Sequence, residues 1–259
     1  MEWKIFDNKC WWCESPDLSE EHKYKRTDLE REYFSNSSEQ KIVLCSLSDL
    51  TQKGKIIQGP KSKTVKFKAS LCQNCNNAKS QPFDESYDKL IKFLKDNETN
   101  TLKAPSIKLA NIYGENYGQQ AQNLAKYFVK HLGCTLTDAN ISVPLNLIDF
   151  LNDKIELNNI ELVISQSIDR KEYLDIVSEQ IPNSSWIGCS DIQVEYNKKT
   201  NVINFLKYEL YYRSFSFYIN LNTNIDGLKT NIISDTIDLI LYHEQNFNDL
   251  NTKEKTTTA

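Results

Sequence analysis

The chain has 259 residues, of which 39% are hydrophobic and 25% are charged, and its formal net charge is −4. This composition favours a folded protein of one large domain or two modest ones. No apolar run reaches the roughly 18 residues that a membrane-spanning helix needs, and the first residues lack the apolar stretch of a signal peptide. We therefore expect a cytoplasmic protein with no membrane partner. The abundance of Asn, Lys and Ile suggests a microbe with an AT-rich genome.

The predicted elements of the first hundred residues are short. Thr27 is followed three residues later by Glu30, which is the pattern of a capping box, so a helix is predicted to start there. Residues 42–44 and the alternating residues 64–68 are predicted strands. Apolar residues at helical spacing predict a helix that contains residues 87–94.

Residues 96–106 are polar and are predicted to be a linker between two domains, 1–100 and 101–245. The second domain is expected to be a mixed α+β domain, and its sequence shows the clearest helix of the chain. Its predicted elements are a helix that contains residues 121–132 and stops at Gly133, a helix with Pro144 in its first turn, a strand at 162–164, a helix at 169–180, strands at 186–196 and 201–221, and a last helix at 231–243. Residues 246–259 are polar and are predicted to be a disordered tail.

Two cysteine pairs are the most informative motifs. Cys10 and Cys13 form one Cys-x-x-Cys pair, and Cys72 and Cys75 form the other. Two such pairs can close one tetrahedral zinc site, and in a cytoplasmic protein metal ligation is favoured over disulfides. We therefore predict a structural zinc at these four residues. The remaining cysteines are isolated and are predicted to be ordinary buried thiols: Cys45, Cys134 and Cys189.

The residues around these pairs carry a family resemblance. Glu21 and His22 lie between the pairs, Asn76 directly follows the last cysteine, and Lys79 lies three residues beyond. This order resembles the HNH (ββα-metal, His-Me finger) endonucleases, in particular those held by a four-cysteine zinc, over residues 8–95. The resemblance implies an α+β protein with an N-terminal zinc-braced ββα-metal nuclease domain followed by the second domain.

The resemblance also implies roles for individual residues. His22 would be the general base that takes a proton from the attacking water, because an ordinary histidine is mostly neutral near pH 7. Glu21 and Asn76 would hold a catalytic Mg²⁺ or Mn²⁺ through oxygen atoms. Adjacent strand residues point to opposite faces, so a bulge, a turn or a division of labour is expected at Glu21 and His22. The other histidines, His131 and His243, are predicted to lie on helix surfaces.

A basic stripe precedes the second cysteine pair. Residues 53–68 contain six lysines and no acidic residue, which favours a phosphate-bearing partner, although a solvated surface is the alternative. The predicted nucleic-acid contacts are basic residues in this stripe and beside the candidate catalytic residues: Lys23, Lys25, Arg26, Lys61, Lys63, Lys66, Lys68 and Lys79.

The leading hypothesis is a divalent-metal-dependent HNH endonuclease that hydrolyses nucleic-acid phosphodiester bonds, with DNA as the expected substrate. The resemblance suggests a place in restriction or antiviral (phage) defence. One alternative is a non-catalytic zinc-knuckle module that binds nucleic acid, and another is a structural zinc protein that makes protein contacts. In the leading hypothesis the second domain brings substrate, a protein partner or a second copy of the chain.

Overall fold

A computed structural model describes residues 2–4, 6–34, 42–44, 55–156, 160–180, 185–197, 202–222 and 236–241. These residues form a mixed α/β structure in which helices pack against a multi-strand sheet. Among them, no helix is both long and apolar enough to cross a membrane. His243, Cys45, Lys53 and the predicted tail lie outside the described residues.

The helices are unequal in length, and two of them dominate. α2 and α5 have 16 and 22 residues. The helices are α1 (Arg26–Leu29), α2 (Gln81–Asp96), α3 (Glu98–Thr101), α4 (Leu109–Tyr113), α5 (Tyr117–Asp138), α6 (Leu145–Leu151) and α7 (Ile168–Gln180). Short π-helical turns follow α1 at Glu30–Phe34 and precede α2 at Asn74–Ala78.

The strands form one large sheet and several small pairs. They are β1 (Trp3–Lys4), β2 (Leu18–Ser19), β3 (Ile42–Leu44), β4 (Lys55–Ile57), β5 (Leu71–Cys72), β6 (Ser106–Lys108), β7 (Val143–Pro144), β8 (Ile160–Gln166), β9 (Ile187–Cys189), β10 (Gln193–Asn197), β11 (Val202–Tyr212), β12 (Phe215–Asn222) and β13 (Thr236–Leu241). The large sheet has the order β10-β11-β12-β8-β13-β6, and β9 also pairs with β11. β13 runs parallel to β8, and the other neighbours are antiparallel.

Helices α2 and α5 pack against each other and against this sheet. Tyr87 of α2 stacks on Tyr127 of α5 with ring centroids 4.0 Å apart. Phe128 of α5 lies beside Phe217 of β12, with centroids 5.5 Å apart. Aromatic side chains bury large apolar areas, so these contacts are a main source of the packing energy. The predicted helix over 121–132 is confirmed, although it is buried on more than one face.

A small unit carries the second cysteine pair. In this unit Ser19 of β2 pairs with Leu71 of β5 in antiparallel register, and after a shift in register His22 forms an isolated bridge with Lys66. The π-helical turn Asn74–Ala78 and then α2 follow directly on β5. The N-terminal part therefore contains two paired strands followed by a helix, with a long excursion between the strands.

Several predicted elements are confirmed. The helix near Thr27 is α1, and the helix that contains residues 87–94 is α2. Pro144 directly precedes α6, where its fixed φ angle suits the start of a helix. The strands at 42–44 and 162–164 and the helix at 169–180 correspond to β3, β8 and α7.

The predicted helix over 231–243 is wrong where the structure describes it, because Thr236–Leu241 is strand β13. Ile237 and Leu239 are buried, whereas Asp238 and Ile240 are exposed. This alternation has the period of a strand with one buried face. The pairing of β13 with β8 and β6 therefore determined its conformation.

Two predicted strands also differ from the structure. Residues 64–68 begin as a 3₁₀ turn at Lys63–Val65, because the Ser62 hydroxyl accepts a hydrogen bond from the Thr64 backbone N–H. The predicted strand over 201–221 is a hairpin of β11 and β12. Its turn includes Arg213, whose φ of 54° is in the left-handed region.

The predicted helix stop is wrong, and the predicted linker contains regular structure. Helix α5 continues past Gly133 to Asp138, because Gly133 lies against the Trp11 ring rather than at a helix end. The predicted linker contains α3, in which Glu98 and Thr101 are buried. The main apolar core draws on residues on both sides of this segment. The division into two domains stays a prediction.

Candidate metal centre and adjoining strand

The four predicted zinc ligands lie together. The sulfur atoms of Cys10, Cys13, Cys72 and Cys75 are all within 4.8 Å of one another. Zinc–sulfur bonds of about 2.3 Å in a tetrahedron place sulfur atoms about 3.8 Å apart, so this spacing fits one metal ion. The four cysteines could therefore hold a structural metal such as zinc, and four protein ligands would leave no open position on it.

Local hydrogen bonds position each cysteine pair. The Cys75 backbone N–H donates to the Cys72 sulfur at 3.4 Å, as expected when a short turn wraps around a metal site. The Trp11 backbone N–H donates to the Ser70 carbonyl at 3.1 Å, which joins the first pair to the strand that carries the second. A backbone hydrogen bond thus helps to bring the two pairs together, in addition to any metal.

The thiols interact strongly with one another. A hydrogen bond from Cys75 lowers the pKa of the Cys10 thiol to about 5. The same contact raises the pKa of the Cys75 thiol, because Cys75 acts as the donor. The Cys13 and Cys72 sulfur atoms are 3.5 Å apart. Closely packed thiols of this kind are the deprotonable donors that a soft metal such as zinc prefers.

The segment that follows β2 contains two further candidate residues, Glu21 and His22. The Phe67 backbone N–H donates to the Glu21 carbonyl, and the Lys23 backbone N–H donates to the Val65 carbonyl, both at 2.8 Å. His22 and Lys66 form an isolated antiparallel bridge whose register is shifted from that of β2 and β5, because three positions separate Ser19 from His22 and five separate Lys66 from Leu71. The two side chains have different partners, because Glu21 pairs with Lys130 and His22 contacts the Pro60 carbonyl. Two of the arrangements expected for these residues, an irregularity in the pairing and a division of labour, agree with this geometry.

His22 is half-buried and faces the turn at Pro60. Its Nε2 atom lies 3.0 Å from the Pro60 carbonyl oxygen. A carbonyl can only accept, so Nε2 carries the proton and the neutral ring keeps its lone pair on Nδ1. Burial lowers the pKa of the His22 imidazole below its usual value. His22 is therefore neutral near pH 7.

Glu21 faces the protein interior and pairs with a lysine. Its carboxylate atom Oε2 is 3.6 Å from the ammonium of Lys130, which lies on α5 and is almost completely buried. Lys130 also contacts Ser80 at 3.2 Å and Asp84 at 3.4 Å. Sequence patterns did not identify this lysine as part of a site, because its spacing along α5 places it among apolar residues.

Asn76 is attached to the strand that carries Glu21 and His22. Its amide nitrogen donates to the Ser19 hydroxyl at 3.1 Å and to the Glu20 carbonyl at 3.2 Å. Its side-chain oxygen Oδ1 is buried and has no hydrogen-bond partner among the described residues. A buried oxygen without a donor is costly, and a bound cation would satisfy it.

The predicted nucleic-acid contacts fall into two groups. Several are held in ion pairs with carboxylates: Lys23 with Asp138, Lys25 with Asp84 and Asp88, Arg26 with Glu30, and Lys66 with Glu20. The Lys68 ammonium donates to the backbone carbonyl of Asp138. Lys61 and Lys63 are exposed beside the Pro60 turn. Lys79 is exposed and its ammonium lies 5.4 Å from the centre of the Trp12 ring. Lys25 is the least available of these residues for a phosphate contact, because its side chain is only 12% exposed.

The other histidine and two of the other cysteines can also be located. The prediction that His131 lies on a helix surface is wrong, because it is buried between α5 and the sheet and stacks on Tyr208 with centroids 5.7 Å apart. Burial lowers the pKa of His131 to about 4. Cys134 is buried as predicted, and Cys189 is half-buried.

No protein-family model, curated protein or solved structure matches this chain.

Proposed function

We propose that this chain is a divalent-metal-dependent endonuclease of the HNH type that hydrolyses phosphodiester bonds in nucleic acid, with DNA as the expected substrate. The observation that carries the proposal is the position of Asn76. It directly follows the four-cysteine cluster and its amide is bonded to the strand that presents Glu21 and His22. A structural metal at the cysteines would thus hold the candidate catalytic residues in a fixed arrangement.

The state of His22 supports its role as the general base. The hydrogen bond to the Pro60 carbonyl fixes the ring and keeps the proton on Nε2, which leaves Nδ1 to accept a proton from water. The lowered pKa keeps this nitrogen unprotonated at neutral pH. Both features are what a base needs when it activates a nucleophile.

Glu21 and Asn76 are the residues that would hold Mg²⁺ or Mn²⁺. A carboxylate and an amide oxygen are the hard ligands that such cations bind, and the unpartnered Oδ1 of Asn76 fits that role. When bound, the cation would supply charge stabilisation at the phosphate and the leaving oxygen. Glu21 and Asn76 would supply the oxygen atoms that bind this cation.

Lys61 and Lys63 support a polyanionic substrate. Both are exposed, and they follow the Pro60 turn that contacts His22, so their charges lie beside the proposed base. Contacts of this kind bind phosphates without reading sequence and weaken as salt rises.

The test compares two neighbouring acids on one strand. Glu21→Gln should lower the rate of Mg²⁺-dependent cleavage of plasmid DNA by at least about 100-fold, because charge stabilisation worth roughly 3 kcal/mol is lost. Glu20→Gln is the matched control, since among the described residues the Glu20 side chain pairs with the partly exposed Lys66. Its rate should stay within about twofold of the wild-type rate, since exposed ion pairs contribute little.

The same experiment separates the alternatives. If the wild-type protein never cuts but binds DNA with a steep salt dependence, the chain is a zinc-knuckle binding module and not a nuclease. If it neither cuts nor binds, the proposal of a nucleic-acid partner is wrong and a structural zinc protein remains.

A further inference from the structure

Lys130 is the most deeply buried charged side chain near the proposed site. It lies on α5, beyond residues 8–95, and its side chain is 1% exposed. It cannot reach a substrate from this position. Any contribution to the proposed site must therefore pass through the residues that it contacts.

These contacts lead to both candidate cation ligands. The ammonium of Lys130 is 3.6 Å from Oε2 of Glu21. It also donates to the Ser80 hydroxyl at 3.2 Å, and that hydroxyl donates to the backbone carbonyl of Asn76 at 2.9 Å. One buried side chain is thus connected to Glu21 directly and to Asn76 through one hydroxyl.

Among the described residues, Glu21 has Lys130 as its cationic partner, whereas the nearby Asp84 has both Lys130 and Lys25. Asp84, the other carboxylate at Lys130, has a second cation because Lys25 lies 3.2 Å from it. For Glu21, Lys130 is the ion-pair partner that the described part of the chain provides. A buried ion pair is a weak source of stability, so a role in orientation accounts for Lys130 better than a role in folding.

We propose that Lys130 is a positioning residue for the cation site of the endonuclease, holding Glu21 directly and Asn76 through Ser80. This inference rests on the proposed function, since it concerns the same two ligands. With Oε2 anchored by the ammonium, Oε1 is the oxygen available to a cation. The site is then completed by a helix that lies beyond the first hundred residues, so those residues alone would be an incomplete enzyme.

The test is a pair of Mg²⁺ titrations on full-length variants with matched zinc content, one that follows the cleavage rate and one that measures cation binding by calorimetry. Lys130→Met should raise the Mg²⁺ concentration for half-maximal rate by about 10-fold or more, as expected when a residue that supports a metal ligand is removed. Lys126→Met is the matched control, because Lys126 is also buried on α5, one turn earlier, but pairs with Asp153. Its half-maximal Mg²⁺ concentration should stay within about twofold of the wild-type value.

The direction of the shift distinguishes positioning from simple electrostatics. Removal of a positive charge from beside Glu21 would by itself strengthen cation binding and lower the half-maximal Mg²⁺ concentration. A lowered or unchanged value for Lys130→Met therefore overturns the proposal. A raised value is the result that supports it.

A second variant keeps the proposal testable if Lys130→Met does not fold. Ser80→Ala removes only the hydroxyl between Lys130 and Asn76, and it should also raise the half-maximal Mg²⁺ concentration. An unchanged value for a folded Ser80→Ala variant contradicts the connection to Asn76 and overturns the proposal as stated. If the wild-type protein fails to cut and calorimetry detects no bound cation, the proposed function and this inference fall together. If it fails to cut but binds the cation more tightly than Lys130→Met does, the proposed function alone fails, whereas a cutting wild type with unaffected variants removes the inference alone.

Discussion

At the residue scale, the four thiols share one site but differ in their exposure. Cys10 and Cys75 are fully buried, whereas Cys13 is exposed. The cluster therefore meets solvent at Cys13 and is enclosed by protein on its other sides. Trp11 and Trp12 are also buried, and their rings stack with centroids 6.3 Å apart, so Cys10 and these two tryptophans are part of the main core.

Replacement of one buried thiol tests the metal centre. Cys75→Ser should abolish retention of zinc, because a hydroxyl is a poor ligand for a soft metal and structural zinc sites contribute apparent binding energies of about 10–16 kcal/mol to folding. Metal content by elemental analysis should fall from one zinc per chain to nearly none, with a lower unfolding temperature. Cys134→Ala, a buried cysteine outside the cluster, should retain its zinc. Full zinc retention in Cys75→Ser would contradict the centre.

The residue-scale predictions succeeded where residues close together in the sequence form the pattern. The spacing of Cys10 with Cys13 and of Cys72 with Cys75 indicates two ligand pairs without knowledge of the fold. Lys130 and His131 could not be located in this way, because their burial depends on which faces of α5 are covered. Lys130 lies more than one hundred positions from Glu21 in the chain. Such a pair emerges only from tertiary packing.

At the element scale, α5 connects the metal centre to the sheet. One part of this helix packs through Gly133 against Trp11 of the first cysteine pair, and Phe128 packs against β12. A Cβ atom at Gly133 would lie 2.4 Å from the Trp11 ring. The absence of a side chain therefore allows the close approach of the helix and the indole ring.

Two glycines on α5 give a matched pair of substitutions. Gly133→Ala should lower the free energy of unfolding by about 1–3 kcal/mol, because the added methyl group overpacks the contact with Trp11. Gly118→Ala should leave it unchanged or raise it by up to about 1 kcal/mol, since nothing lies within 4 Å of a Cβ there and alanine favours helix. Urea unfolding monitored by circular dichroism measures both values. Equal effects of the two substitutions would contradict the packing at Gly133.

The errors at the element scale have a common physical cause. Gly133 was expected to stop α5 because glycine is common after helix ends, but a tertiary contact with Trp11 determines its position. Residues 236–241 were expected to be helical, yet they pair with β8 across about 75 intervening positions. Local pattern predicted the long amphipathic helices well. It was weaker where a strand partner or a packed ring decided the conformation.

At the scale of the whole molecule, buried ion pairs join the two halves of the chain. Glu32, in the turn after α1, accepts hydrogen bonds from Tyr212 at 2.6 Å and from Arg213 at 3.1 Å. Arg213 also pairs with Glu98 of α3 at 2.9 Å, and Ser214 donates to Glu98 at 2.7 Å. The β11–β12 turn is thereby fixed to segments that precede residue 100.

Replacement of Arg213 should weaken the contacts between the β11–β12 turn and the segments that precede residue 100. Arg213→Met leaves the carboxylate of Glu98 buried without an ionic partner, and the free energy of unfolding should fall by about 3–5 kcal/mol. Arg26→Met is the control, because the pair of Arg26 with Glu30 is exposed and should contribute at most about 1 kcal/mol. Chemical denaturation of both variants gives the comparison. If Arg213→Met lowers the free energy of unfolding no more than Arg26→Met does, the ion pairs of Arg213 do not stabilise the contact between the β11–β12 turn and the earlier segments.

The central claim is that His22 acts as the base of a metal-dependent nuclease. The most direct measurement is nicking of supercoiled plasmid with Mg²⁺ or Mn²⁺ by the wild-type protein and by His22→Ala at matched zinc content. The account predicts cleavage by the wild type and a rate about 100- to 10,000-fold lower for the variant, the usual range for loss of a general base. Equal cleavage by both proteins, or DNA binding without cleavage by the wild type, would contradict it.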